Sequence, residues 1–261
     1  MARLLPLAIP ITLVGAFILL GNEPSIQRPD GREVAISQID TTTTRLMEAA
    51  HVTGAGIAIF HQSRIVYLKT YGTRDVERRL PLTPNSVMTA ASLSKSAFAT
   101  MVMRLVQEGA IDLDKPIHEY LPKPLPDYPK YADLQGDDRY KRLTLRILLS
   151  HTSGFPNWRA FEEDRKLKIH FEPRTRYAYS GEGIDLAQLI VETVTGRSVA
   201  SLIDEKLYRL LHMTRSSMVW ESRFEDDFAN GYDEYGRSLG PERRSAPDAA
   251  CPPSIPTRCG V

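Results

Sequence analysis

Residues 90–109 read Ala90-Ala91-Ser92-Leu93-Ser94-Lys95-Ser96-Ala97-Phe98-Ala99-Thr100-Met101-Val102-Met103-Arg104-Leu105-Val106-Gln107-Glu108-Gly109. Phe98, Met101, Val102, Leu105 and Val106 recur at i, i+3, i+4, i+7 and i+8. That period predicts a helix over Ala90–Glu108 with one buried stripe, and Gly109 is a natural stop. The head of the same segment carries Ser92-Leu93-Ser94-Lys95, an S-x-x-K pattern. A Ser at a helix N-terminus faces free N–H groups that favour developing negative charge. A residue three later lies on the same face, so Lys95 can reach the Ser92 hydroxyl. A partly desolvated lysine can then take the proton. The pattern alone is weak, with about one chance match expected in a chain this long. A capping Ser and a solvated Lys are the ordinary alternative.

Two further segments carry chemistry-bearing residues. Tyr179-Ser180-Gly181 stands directly before an apolar-periodic stretch from Glu182 to Val194, which Gly196 ends. A Tyr placed there can act as a general base if cations lie near it, although a Tyr is more often packing. Leu148-Leu149-Ser150-His151-Thr152-Ser153-Gly154 sets a His between two Ser. No G-x-S-x-G elbow occurs, so His151 and Thr152 read better as a structured turn at a helix end than as part of a triad.

Around these segments, a helix is expected at Ile36–Val52, although Thr41–Thr44 are weak helix formers. Gly54–Phe60 and Arg64–Gly72 alternate in polarity across His61-Gln62-Ser63, a hairpin signal. Thr144 can cap a short helix through Leu149, and another helix is expected over Val199–Leu211. Strands followed mostly by helices give an α/β (α+β) class: a sheet and a helical lobe.

Composition narrows the function classes. The 261 residues carry 33 Lys and Arg against 32 Asp and Glu, a net charge of +1. That balance offers no electrostatic footprint for nucleic acid. Cys251 and Cys259 are the only cysteines, which excludes a disulfide scaffold and a cysteine zinc site. The six His are scattered and no H-E-x-x-H occurs, which argues against a metal hydrolase.

From about Gly54 to Met213 the chain resembles the serine beta-lactamase-related family of class C beta-lactamases, D-alanyl-D-alanine carboxypeptidases and esterases. The resemblance rests on ordered stretches: A-G-I-A-I-F-H-Q-S-R-I-V-Y-L-K-T-Y-G, A-S-L-S-K-S-A-F-A-T, L-L-S-H-T-S-G and F-E-P-R-T-R-Y-A-Y-S-G-E-G-I-D-L. It implies a beta-lactamase/transpeptidase-like fold, an antiparallel sheet flanked by helices. It implies Ser92 as acyl-accepting nucleophile, Lys95 as cation and proton partner, and Tyr179 as the Tyr of the family's Y-x-N motif. Lys95 and Tyr179 both remain open as the base. Gly181 stands where many relatives have an Asn that contacts a substrate amide, which shifts weight towards esterase-like or uncharacterised relatives. The expected substrate is a small molecule or peptide bearing an amide or ester, and no cofactor is implied.

The resemblance also implies a third motif, Lys, His, Arg or Trp, then a small residue, then Gly, on a strand that gives one oxyanion donor. Only Arg258-Cys259-Gly260 fits formally, at the end of a proline-rich tail. The expectation is therefore a chain cut short after about Ala250, and the alternative function is a non-catalytic fragment or pseudoenzyme. The expected organisation is an export signal or membrane anchor over 1–24, the front of the catalytic domain over 25–250, and an irregular tail over 251–261. Within the domain the hairpin lies at about 54–72 and the helical lobe at about 90–215. Arg3 ahead of an apolar run of about 17 residues supports a periplasmic, secreted or membrane-anchored protein. After export Cys251 and Cys259 could pair. The sheet hairpin would keep an open edge and an apolar face.

Overall fold

The computed structural model describes residues 23–240 except Glu234. The expected export segment, except Glu23 and Pro24, and the tail with Cys251 and Cys259 lie outside the described residues. Among the described residues no single helix is long and apolar enough to cross a membrane. The chain divides into two compact units.

The described part of the first unit is residues 23–52 and 57–68. Strands β1 (Ser25–Gln27) and β2 (Glu33–Ala35) pair antiparallel and lead into α1 (Ile36–Ala49). The four threonines at 41–44 do not prevent the helix, but no residue of α1 is buried. Of its apolar residues, Ile39 and Met47 are partly covered and Leu46 is exposed. Tyr67, buried, donates a hydrogen bond to Asp40 Oδ1 at 2.6 Å.

Strands β3 (Gly54–His61) and β4 (Arg64–Asp75) form the expected hairpin, which spans residues of both units. Its two-residue loop, Gln62-Ser63, has φ of 48° and 60°. Both values lie in the left-handed region that a tight right-twisted hairpin requires. A short β5 (Leu80–Pro81) pairs antiparallel with β4, so the sheet order is β3-β4-β5. β5 meets β4 at Thr73 and Asp75, just beyond the expected 54–72 hairpin, and Pro81 can stand there because it lies on the edge of the sheet. β3 is the opposite edge, and Phe60, Ile65, Val66 and Leu68 are exposed.

The second unit, described over residues 53–56 and 69–240, holds the helical core. Helix α2 (Ser94–Gln107) buries Phe98, Met101, Val102 and Leu105, the stripe read from the period. It begins four residues later than the pattern indicates, because Ala91 has φ of 44° and Ala91–Leu93 form a 3-10 turn. Helix α3 (Leu145–Leu149) is capped by Thr144, whose Oγ1 accepts from the Ile147 N–H at 3.3 Å. Helix α4 (Gly181–Thr195) buries Ile184, Leu186, Ala187, Ile190 and Val191, and Gly196 closes it at φ of 64°. Helix α5 (Val199–Ile203) is shorter than expected and continues as a π-helical turn over Asp204–Tyr208. Strands β6 (Gly231–Tyr232) and β7 (Ser238–Gly240) pair at the end of the described chain.

Side chains from α2 to α5 form one apolar cluster with those of the intervening 3-10 turns. Each fully buried Leu, Ile or Phe contributes about 2 kcal/mol relative to exposure. Leu148 is wholly buried in that cluster. Leu148→Ala is expected to cost about 3 kcal/mol through lost burial and the cavity left behind, read by chemical denaturation.

Candidate active site

Ser92 is solvent-exposed in the 3-10 turn that leads into α2. Lys95, three residues on, is only 7% exposed, and its Nζ donates to Ser92 Oγ at 3.2 Å. The ordinary reading, a solvated lysine beside a capping serine, does not describe this pair. Ala91, immediately before Ser92, holds a left-handed φ of 44°, which costs a residue with a Cβ about 1 kcal/mol or more. The turn thereby presents the hydroxyl at the mouth of the helix while the stripe below it anchors α2.

Tyr179 comes to the same place from the loop before α4. Its ring centroid lies 5.2 Å from Lys95 Nζ, and the Tyr179 side is 38% exposed. It is therefore no core packing residue. Trp158 approaches from another loop, with its ring 5.9 Å from the same ammonium. Three of the four residues singled out in the sequence, Ser92, Lys95 and Tyr179, thus converge. Gly181, the fourth, lies two residues beyond Tyr179 at the start of α4.

Two clamps hold Tyr179 in position. The first is the L-L-S-H-T-S-G block. His151 stands at φ of 56°; its carbonyl accepts from Ala178 N at 2.9 Å and its Nδ1 accepts from Ser180 N at 3.1 Å. The backbone on both sides of Tyr179 is therefore bonded to one histidine, whose ring also lies 4.6 Å from the Tyr179 ring. Gly154, at φ of 85°, must be glycine: a Cβ there would meet Phe171 O at 2.5 Å. Burial, then the Lys95 charge, lower the His151 pKa below its usual value. The neutral ring is the form that can accept at Nδ1.

The second clamp joins residues 156–159 to residues 180–182. Ser180 Oγ caps α4 by accepting from Gly183 N at 2.9 Å and donates to Pro156 O at 2.8 Å. Asn157 O accepts from Gly181 N and Glu182 N, and Asn157 Oδ1 accepts from Gly181 N at 3.1 Å. Arg159 donates from Nε and Nη2 to the two oxygens of Glu182, at 2.9 and 2.7 Å. Burial would raise the Glu182 carboxyl, but the Arg159 guanidinium and backbone N–H hold it below the usual carboxylate range. His151, Asn157, Trp158, Arg159 and Glu182 were not read from the sequence as site residues. The signals there were the L-L-S-H-T-S-G block for His151, the place of Glu182 just after the Tyr179 motif, and Trp158 as one of only 2 Trp.

A Beta-lactamase family model matches residues 39–252. The chain belongs to the Beta-lactamase family. This family member is 26% identical over 214 residues to "Protein flp" of Staphylococcus aureus strain MRSA252, covering 76% of the chain and 41% of that protein. It is 25% identical over 203 residues to "Esterase EstB" of Burkholderia gladioli, covering 68% of the chain and 50% of that protein. Its fold matches the octameric penicillin-binding protein homologue from Pyrococcus abyssi with a TM-score of 0.64 and 26% identity, covering 79% and 50% of the two chains. The Beta-lactamase family chain thus spans about half the length of these relatives or less. The mixed helix-and-sheet fold expected from the sequence is the one observed.

Two outcomes test the clamps. Glu182→Gln is expected to cost about 2 kcal/mol in denaturation, because it removes the buried carboxylate charge that Arg159 bonds, while Arg159 keeps Lys130 O and Asp133 nearby. His151 favours its neutral form in the folded state, so its contribution is complete above about pH 6.5 and falls as pH drops below that. Between pH 7.5 and 5 wild type should therefore lose more stability than His151→Asn, which tolerates the same φ and does not titrate. Parallel stability–pH curves would contradict this.

Proposed function

We propose that this Beta-lactamase family chain is a serine hydrolase working through an acyl-enzyme on a small-molecule or peptide amide or ester. One observation carries the reading: a nearly buried Lys95 ammonium donates to an exposed Ser92 hydroxyl, with Tyr179 beside it. Ser92 Oγ attacks the carbonyl carbon and its proton passes to Lys95 as its free amine or to Tyr179 as its phenolate. The ester C–O or amide C–N bond breaks, and the leaving alcohol or amine takes that proton. Water then attacks the acyl-Ser92 carbonyl by the same proton route, releasing the acid and restoring the serine. The Ser92 N–H, at the head of α2, is suited to the developing oxyanion.

A second reading, ligand binding without turnover, is favoured by a different observation. Among residues 23–240 no Lys, His, Arg or Trp stands two positions before a Gly, so the strand donor implied by the resemblance has no counterpart there. Loss of one oxyanion donor costs about 3 to 4 kcal/mol of transition-state stabilisation. A fluorophosphonate probe separates the readings. Covalent labelling of the wild type that disappears in Ser92→Ala, read by intact mass, supports the hydrolase. Folded wild type that takes no label supports binding alone.

A further inference from the structure

The β3–β4 hairpin carries an apolar face that the Ser92 chemistry does not use. Phe60, Val66 and Leu68 are 65%, 41% and 55% exposed. Single apolar residues on a surface are ordinary, whereas a contiguous patch marks a contact with protein or membrane. These three are contiguous. A Cβ at Gly56 would lie 3.8 Å from Thr70 Cγ2, so the even-numbered positions of the two strands share one face. Along β3 that set, Gly56, Ala58 and Phe60, is exposed, while Ile57 and Ile59 between them are half-buried. Along β4 the odd-numbered Tyr67 turns to Asp40 of α1, so Val66 and Leu68 on either side of it point away from that helix.

Two observations say what suits this face. The first is charge. Residues 57–68 hold no Asp or Glu, and Arg64 beside the turn is their only formal charge. A second copy would offer that cation no acid from the same face, whereas an anionic lipid surface offers many. The second is the chain that leads into this unit. Residues 4–20 are an apolar run behind Arg3, and β1 of the same unit begins shortly after it, at Ser25. Such a run reads as an export signal or a membrane anchor, and either use delivers the hairpin to a bilayer.

We propose that Phe60, Val66 and Leu68 form a membrane-docking face, seated at the boundary between headgroups and acyl chains of an anionic bilayer. Side chains enter and the backbone does not. β3 is an edge strand, and its free N–H and C=O groups remain at headgroup depth, where water and phosphate satisfy them. Arg64 lies at the same level, against lipid phosphate. The proposal is independent of the hydrolase reading, because no residue of the Ser92 site takes part in it.

The test places a probe on the face of the full chain. Phe60→Trp keeps a large ring at an exposed position, and an unchanged melting temperature verifies its fold. Vesicles of mixed phosphatidylcholine and phosphatidylglycerol are used, with and without bromine in the upper acyl chain. The emission that Phe60→Trp adds to that of Trp158 and Trp220 is expected to be strongly quenched by the brominated lipid. Added emission that is not quenched overturns the proposal. Val66→Asp with Leu68→Asp, placed in the same probe chain, should abolish the quenching while leaving residues 4–20 intact. Quenching that survives both changes means that the N-terminal run alone holds the probe at the bilayer, which also overturns it. In phosphatidylcholine alone, half-maximal quenching should need about fivefold more lipid, the effect of one cation near an anionic surface; an equal requirement overturns the anionic assignment. If the probe is unquenched and the chain sediments as a dimer that Phe60→Asp separates, the face serves a second copy and the proposal fails.

Discussion

A lysine ammonium held almost out of water, 3.2 Å from a serine hydroxyl, constrains everything around it. Removing such a charge from water costs several kcal/mol unless its surroundings compensate. The compensation here includes the Ser92 oxygen and the electron-rich faces of Tyr179 and Trp158. The same charge acts outward. It helps to keep His151 neutral, and neutral His151 can accept the N–H that follows Tyr179. The cation that serves Ser92 therefore also supports the loop that brings in the second polar ring.

Position is maintained by two different kinds of bond. Backbone groups on both sides of Tyr179 meet a histidine in the left-handed conformation. Beyond them a serine cap and an arginine–glutamate pair seal the start of α4. Ser92 is carried by the apolar stripe of α2 and the Tyr179 ring by polar clamps, and the Lys95 charge links the two through His151.

Helical periodicity made the stripe of α2 and the interior of α4 legible, because burial of one face leaves a 3.6-residue trace. S-x-x-K marked Ser92 and Lys95 because three residues of helix bring side chains to one face. Ordered motifs, rather than any one of them, carried the family resemblance. The late start of α2 was not legible, since a left-handed Ala91 has no residue signature. β5 escaped notice because two residues beside a proline carry no alternation. Arg159 with Glu182, and Trp158 with Gly181, lie more than twenty residues apart, and nothing local couples them.

What the sequence determined by itself is the family, the main helices and three chemistry-bearing side chains, since each rests on spacing within one element or on motif order. Only the tertiary structure decided that Lys95 is buried rather than solvated, and that Tyr179 faces it. It also decided that the space beside Gly181 is occupied by the Trp158 indole. Those are facts of long-range packing: they depend on which loops return to the head of α2, and a one-dimensional pattern does not encode that return.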